Sequence, residues 1–152
     1  MIAISLNHAE QIMFPFAEDP AEHYQYDQEL FALDFRVTEQ ALYAIRKWLL
    51  PLGFGPIGAY QVKEACRYLL TKNIAFGGVW LPGIEGTDHS PEAMKTYNRE
   101  CQAFHLLLWG ELFPEEPYVP ADLSQYRQRV DRGFECFPDH PQEWGTPEYR
   151  PW

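Results

Sequence analysis

The stretch SPEAMKTYNRECQAFHLLLWGEL, residues 90–112, decides the fold class because it predicts the longest regular element of the chain. Ser90 is a preferred N-cap residue, and Pro91 suits the first helical position. Apolar side chains recur every three or four residues, which is the spacing of one buried helix face. We therefore predict a helix over 91–112. Its inward face comprises Met94, Tyr97, Cys101, Phe104, His105, Leu107, Leu108 and Leu112.

Two more helices are predicted upstream. TEQALYAIRKWLL, residues 38–50, begins with Thr38 as the expected cap and is stopped by Pro51. AYQVKEACRYLLTK, residues 59–72, has one apolar face, and Asn73 suits the left-handed position that ends a helix. This helical pair, residues 38–72, holds five basic side chains: Arg46, Lys47, Lys63, Arg67 and Lys72.

The remaining segments give weaker patterns. A short β-branched run predicts a strand over 2–6, and a start signal with Asp19 as the cap predicts a helix over 20–29. Apolar residues alternate along 31–37, which is typical of a half-buried strand. Residues 74–81 fit a bulged strand or a buried turn, and residues 121–132 fit a fourth helix.

The nineteen residues 134–152 contain four prolines and two tryptophans, which resist regular structure. We expect them to lie over the body as an extended strap. The chain as a whole is predicted to be one domain, residues 1–152, because its length suits a single core. Its expected class is α+β and mostly helical, with about four helices and two or three short strands.

Composition limits the kind of protein. Hydrophobic content of 46% and aromatic content of 16% are typical of a globular chain with aromatic interfaces. Three widely spaced cysteines, Cys66, Cys101 and Cys136, form no CxxC pair, so we expect free thiols and neither a metal nor another cofactor. Neither a signal peptide nor a membrane-spanning run is seen. We expect a cytoplasmic protein of a bacterial cell or a phage-infected host.

Charge is spread unevenly along the chain. Residues 1–36 carry a net charge of −6, residues 37–80 carry +3, residues 81–119 carry −5 and residues 120–152 carry −2. A net charge of −10 disfavours binding to nucleic acid or to anionic membranes, because both need a basic surface. The pattern favours a basic protein as partner, and the basic helical pair could equally contact the acidic segments of its own chain.

Two acidic segments, residues 18–34 and 111–118, interleave carboxylates with aromatic side chains, a composition suited to steering and anchoring a basic partner. We expect a non-enzymatic protein-binding module, such as an inhibitor of the phage anti-defence or immunity type, or an accessory subunit of a nucleic-acid-processing complex. The oligomeric state stays open. The candidate contact residues are Glu18, Asp19, Tyr24, Tyr26, Asp27, Glu29, Glu111, Glu115, Glu116 and Tyr118.

An alternative hypothesis is a small enzyme that uses Asp88 and His89, which stand beside Ser90 in one loop. Adjacent residues rarely form a working triad, because catalytic groups must converge in space. This hypothesis therefore needs distant residues, such as His105 or His140, to meet in a pocket. Ser90 as a helix cap and Asp88 in a turn explain the cluster without catalysis.

A second alternative is weak nucleic-acid binding through the helical pair 38–72. The connector between the two helices is longer than in a helix-turn-helix, and the acidic flanks would repel DNA. Cys101 and His105 have the spacing of two metal ligands on one helix, but the apolar residues around them favour a place in the core.

Overall fold

Helices make up most of the protein in the computed structural model, which describes residues 2–54, 58–76, 81–84 and 90–128. Six helices and one two-stranded parallel sheet lie within these ranges, so the mostly helical class is confirmed and the expected number of four helices is wrong. In chain order they are β1 (Ile2–Ile4), α1 (Leu6–Met13), α2 (Glu18–His23), α3 (Asp27–Phe31), α4 (Thr38–Ala44), α5 (Ala59–Lys72), α6 (Pro91–Leu112) and β2 (Tyr126–Gln128).

Helix α6 has the predicted bounds, and its start is capped as expected. The Ser90 hydroxyl accepts a hydrogen bond from the backbone N–H of Ala93 at 3.2 Å, which satisfies one of the free donors at the helix start. Cys101, Phe104 and Leu108 are buried in the core, where α6 packs against α4 and α5. The periodicity of the sequence therefore identified the inward face correctly.

Helix α5 also has the predicted bounds. Asn73 ends it in the left-handed conformation, with φ 54° and ψ 46°, as the sequence predicted. Val62, Ala65 and Leu69 are buried, and α5 packs against both α1 and α6. This helix is thus the centre of the packing between the N-terminal and C-terminal halves of the fold.

Helix α4 begins at Thr38, but Val37 occupies the N-cap position, so the predicted cap is wrong by one residue. The helix continues as a π-helical segment, Ile45–Leu49, and ends in a 3-10 turn, Leu50–Leu52. Pro51 explains this ending, since proline lacks the N–H that would continue the helical hydrogen bonds.

Three predicted elements in the first third of the chain differ from the structure. The helix over 20–29 is split into α2 and α3, because Gln25 adopts a left-handed φ of 62° between them. Asp19 is not its cap, since α2 starts at Glu18 with Ala17 before it. The strand over 31–37 is absent. In that segment Phe35 is deeply buried while Phe31 and Val37 are largely exposed.

The turn that replaces the predicted strand is held by local polar bonds. Asp34 accepts hydrogen bonds from the backbone and the guanidinium of Arg36, and the Phe35 N–H donates to the carbonyl of Pro82 at 2.8 Å. These bonds fold residues 34–37 back on themselves. A period-two pattern alone did not reveal them, because one partner lies far away in the sequence.

Helix α1 was not predicted. Its inward side chains follow helical spacing, and Ala9, Ile12 and Met13 are buried against α5. Ser5 stands at the N-cap position but its side chain makes no capping hydrogen bond, so the local start signal is weak.

The sheet joins the two ends of the described chain. Ile2 pairs with Tyr126, Ala3 with Arg127 and Ile4 with Gln128, in parallel. The strand near the N-terminus is thereby confirmed. The predicted helix over 121–132 is wrong for residues 121–128, because residues 123–125 form a 3-10 turn and β2 follows. Residues 129–132 lie outside the described ranges.

Several predictions fall on residues outside the described ranges. They concern residues 77–80 within the segment 74–81, the loop with Asp88 and His89, and the strap over 134–152. Within the residues that are described, no helix is both long and apolar enough to cross a membrane.

Candidate protein-interaction surface

Three acids of the two acidic segments, Glu29, Glu111 and Glu116, contact the basic helical pair of the same chain. Glu29 on α3 binds the ammonium of Lys47 at 2.7 Å and accepts a hydrogen bond from the hydroxyl of Tyr43. The bond from Lys47, followed by that from Tyr43, lowers the pKa of the Glu29 carboxyl. Glu29 therefore keeps its negative charge but shares it with a cation.

A second ion pair connects the π-helical segment after α4 to the end of α6. The guanidinium of Arg46 donates to both carboxylate oxygens of Glu111, at 2.8 and 3.1 Å. This two-bond geometry is the stronger form of an arginine–carboxylate contact, and it lowers the pKa of Glu111.

A third group of charges surrounds α5. Glu116 contacts Lys63 at 2.9 Å and also Arg67, whose guanidinium lies 4.9 Å from the centre of the Trp109 ring. Arg67 approaches the buried Glu64 as well, at 3.4 Å. Four of the five cations of the basic helical pair are thus engaged with carboxylates of the same chain, which leaves little free positive charge for phosphate groups.

One acidic group has no such cations. Glu18, Asp19 and Glu22 on α2 and Asp27 at the start of α3 form the acidic patch, and none of these four makes an ion pair with another described residue. The nearby charge of Glu18, together with smaller effects from Asp27 and Asp19, raises the pKa of the Glu22 carboxyl. The patch is therefore a site of repulsion between like charges that no cation of the described residues relieves.

Aromatic side chains flank the acidic patch. Tyr24 ends α2 and is 69% exposed, with its ring edge-on to His23 at 4.8 Å between centroids. Tyr26 is different, because it stacks on Trp48 at 5.0 Å and its hydroxyl donates to the carbonyl of Pro15 at 2.7 Å. The left-handed turn at Gln25 separates these two roles: it leaves one tyrosine in solvent and turns the other inward.

The structure therefore divides most of the predicted contact residues into those around the α2–α3 turn and those engaged in contacts within the chain. Glu18, Asp19, Tyr24 and Asp27 lie together around the α2–α3 turn. Glu22 belongs with them but was missed, although its place four residues after Glu18 puts both acids on one helix face. Internal contacts occupy most of the others, and Glu115 is exposed. The internally engaged set is Tyr26, Glu29, Glu111, Glu116 and Tyr118, which packs edge-on against Trp109.

The candidate catalytic residues are not brought together in the part of the chain that the structure describes. Asp88, His89 and His140 lie outside it. His105 is in the core, its ring stacked on Phe76 at 3.9 Å, and burial lowers its pKa to about 3. Such a histidine stays neutral at physiological pH and faces packed apolar side chains rather than a cleft.

The cysteines that are described have structural positions. Cys66 and Cys101 are free and buried, and burial raises the pKa of both thiols. Among the described residues, no group of three or more histidine, cysteine, aspartate or glutamate side chains could hold a metal ion. The expected placement of Cys101 and His105 in the core is confirmed.

Comparison with known proteins gives no relative for this chain. No family model matches it, and neither the curated proteins nor the solved structures contain a significant match.

Proposed function

We propose that this chain is a non-enzymatic protein-binding module and that its contact surface is the acidic patch together with Tyr24. The observation that carries the proposal is that the four carboxylates of the acidic patch lie together on α2 and at the start of α3 with no ion pair to another described residue. The raised pKa of Glu22, caused first by the charge of Glu18, agrees with this crowding. Crowding of like charges destabilises the free protein, so we infer that the patch is retained because it binds a partner. A cationic partner that covers the patch relieves the repulsion and gains this energy on binding.

The chemistry of the patch defines the partner. Exposed carboxylates accelerate encounter with a basic surface and fix its orientation, and they contribute less to the final affinity. Tyr24 supplies a large amphipathic side chain of the kind that anchors interfaces. The favoured partner is a protein with a lysine- and arginine-rich surface. Nucleic-acid-processing proteins have such surfaces, so the module would serve as their inhibitor, of the anti-defence or immunity type, or as their accessory subunit.

A first experiment tests the patch without any partner. The pKa of Glu22 is measured by NMR titration in the native protein and in Glu18→Gln, which removes the largest cause of its increase. We expect the Glu22 pKa to fall toward the ordinary value for glutamate in the variant. Glu39→Gln, an exposed acid on α4, is the control and should leave it unchanged. An equal pKa in all three proteins would show that the crowding is absent.

A second experiment tests the function. Binding to a panel of purified basic nucleic-acid-processing proteins is measured across a salt series, with lysozyme as an unrelated basic protein. The patch variant carries Glu18→Gln, Asp19→Asn, Glu22→Gln and Asp27→Asn. A control variant removes the same charge elsewhere through Glu39→Gln, Glu92→Gln, Glu100→Gln and Glu115→Gln.

We expect a stoichiometric complex that weakens with salt and a dissociation constant about 10- to 100-fold higher for the patch variant, from four charge contacts. The control variant should bind nearly as the native protein does. Equal weakening of both variants would mean that net charge alone drives association. Absence of any complex at low salt, or binding to lysozyme alone, would refute the proposed function.

A further inference from the structure

One face of α6 and the end of α5 form an open groove that no contact described above uses. Its volume is about 580 Å³. Its lining combines two cations, three side-chain amides and an apolar end, which is a different chemistry from that of the acidic patch. The lining includes Lys95, Arg99, Asn73, Asn98, Gln102 and Leu106.

Lys95 and Arg99 are the cations of this groove, and they are separated by one helical turn. Both are exposed, and neither makes an ion pair with a described residue. Four of the five cations of the basic helical pair contrast with them, since Arg46, Lys47, Lys63 and Arg67 contact carboxylates. A pair of cations with no ion pair to the described residues, in a chain of net charge −10, is a local site for anionic groups.

The amides beside these cations suit a polypeptide. A side-chain amide both donates and accepts, which matches the alternating N–H and C=O groups of an extended backbone. Gln102 is already oriented, because its amide nitrogen donates to the carbonyl of Leu70 at 3.1 Å and leaves its oxygen available as an acceptor. Leu106, 42% exposed, forms the apolar end of the groove.

The distances between the groove side chains along α6 determine which positions of a bound peptide they can contact. Four residues of helix rise about 6 Å from Lys95 to Arg99, which matches two residues of an extended peptide at about 3.3 Å each. Alternate residues of such a peptide face the same side. Leu106 lies seven residues beyond Arg99, about 10.5 Å along the helix, so among the peptide residues that face the groove the one four positions further on comes nearest to it.

We infer that this groove binds an extended acidic segment of a protein, with acids at alternate positions and an apolar residue four positions further on. A single phosphate group would use Lys95 and Arg99 but would leave the amides and Leu106 without a role. A nucleic-acid strand would carry a charge at every nucleotide past a strongly acidic protein, which disfavours it.

The test uses a labelled nine-residue peptide with glutamate at positions 2 and 4, leucine at position 8 and serine elsewhere. Fluorescence anisotropy measures its binding to the full chain. The groove variant is Lys95→Gln with Arg99→Gln, and the matched control is Arg36→Gln with Lys72→Gln, which removes two exposed cations elsewhere. Circular dichroism verifies that both variants are folded.

We expect the groove variant to weaken binding about 10-fold, from the loss of two charge contacts, and the control variant to change it by less than about twofold. Replacing the peptide leucine with serine should also weaken binding. The acidic-patch variant should bind the peptide as well as the native protein does. A result that contradicts the groove inference can therefore be distinguished from one that contradicts the proposed function. Equal binding to both cation variants would overturn the inference. So would pyrophosphate or an oligonucleotide that binds through Lys95 and Arg99 more tightly than the peptide.

Discussion

His105 should make the protein sensitive to mild acid, and His105→Phe should remove that sensitivity. The imidazole lies 1% exposed in the core, stacked on Phe76 and tilted against Phe104, and its Nδ1 has no hydrogen-bond partner among the described residues. Phenylalanine retains a flat ring for the stack on Phe76 and carries no atom that can be protonated. The substitution therefore separates the titration of the side chain from its packing.

The size of the effect follows from the two pKa values. Burial lowers the pKa of His105 in the folded state from 6.5 to about 3. Between these values the unfolded chain binds a proton that the folded chain rejects, so the free energy of unfolding falls as the pH falls. Each pH unit below 6.5 costs about 1.4 kcal/mol, which gives a loss of roughly 2 kcal/mol between pH 7.5 and pH 5.

Urea unfolding of both proteins between pH 5 and pH 7.5 measures this difference. In this window most exposed carboxylates stay ionised, so they contribute little to the slope. We expect the native protein to lose about 2 kcal/mol more than His105→Phe over the range. His23→Gln, a substitution on the exposed face of α2, is the control and should behave as the native protein does. Parallel pH profiles for the native protein and His105→Phe would refute the reasoning.

Three further substitutions test local features of the fold by thermal or urea unfolding. Gly83→Ala should destabilise the protein by about 2 kcal/mol or more, because a Cβ there lies 2.2 Å from a carboxylate oxygen of Asp34 and φ is +81°. Gly53→Ala has a similar φ of +65° but open space around it, so its loss should stay near 1 kcal/mol, and equal losses would contradict the clash. Tyr126→Phe should cost about 1–3 kcal/mol, because the hydroxyl bonds the buried carboxylate of Glu64, and an unchanged midpoint would show that this bond adds nothing.

The two longest helices could be predicted from sequence because several local signals agree on them. Ser90 and Pro91 mark the start of α6, Asn73 marks the end of α5, and apolar spacing fills each interior. Helix α1 has the same spacing over only eight residues and no side-chain cap, which left it without a start signal. Helix length and capping signals, more than hydrophobicity, distinguish the helices that were predicted, α5 and α6, from α1, which was missed.

Other features depend on contacts that no local pattern contains. The alternation along residues 31–37 resembled a strand, yet a bond from Phe35 to Pro82 decides the conformation. The charges of the acidic segments also depend on tertiary contacts. The sequence assigned Glu18, Glu29 and Glu111 to the same set of contact residues. In the fold, Glu29 and Glu111 each pair with a cation, whereas Glu18 makes no ion pair with a described residue. Which charges remain free is decided by tertiary structure.

The parallel pairing of β1 with β2 has a consequence for how the chain reaches its native state. Strand β1 precedes its partner around Arg127 along the chain, and all six helices of the described ranges are synthesised between the two. At about 5–20 residues per second, β1 waits roughly 6–25 s with its edge unpaired. Closing the sheet is therefore a late step in biogenesis, and a chain interrupted before Tyr126 would carry its helices with an open strand edge that invites association with other nascent chains.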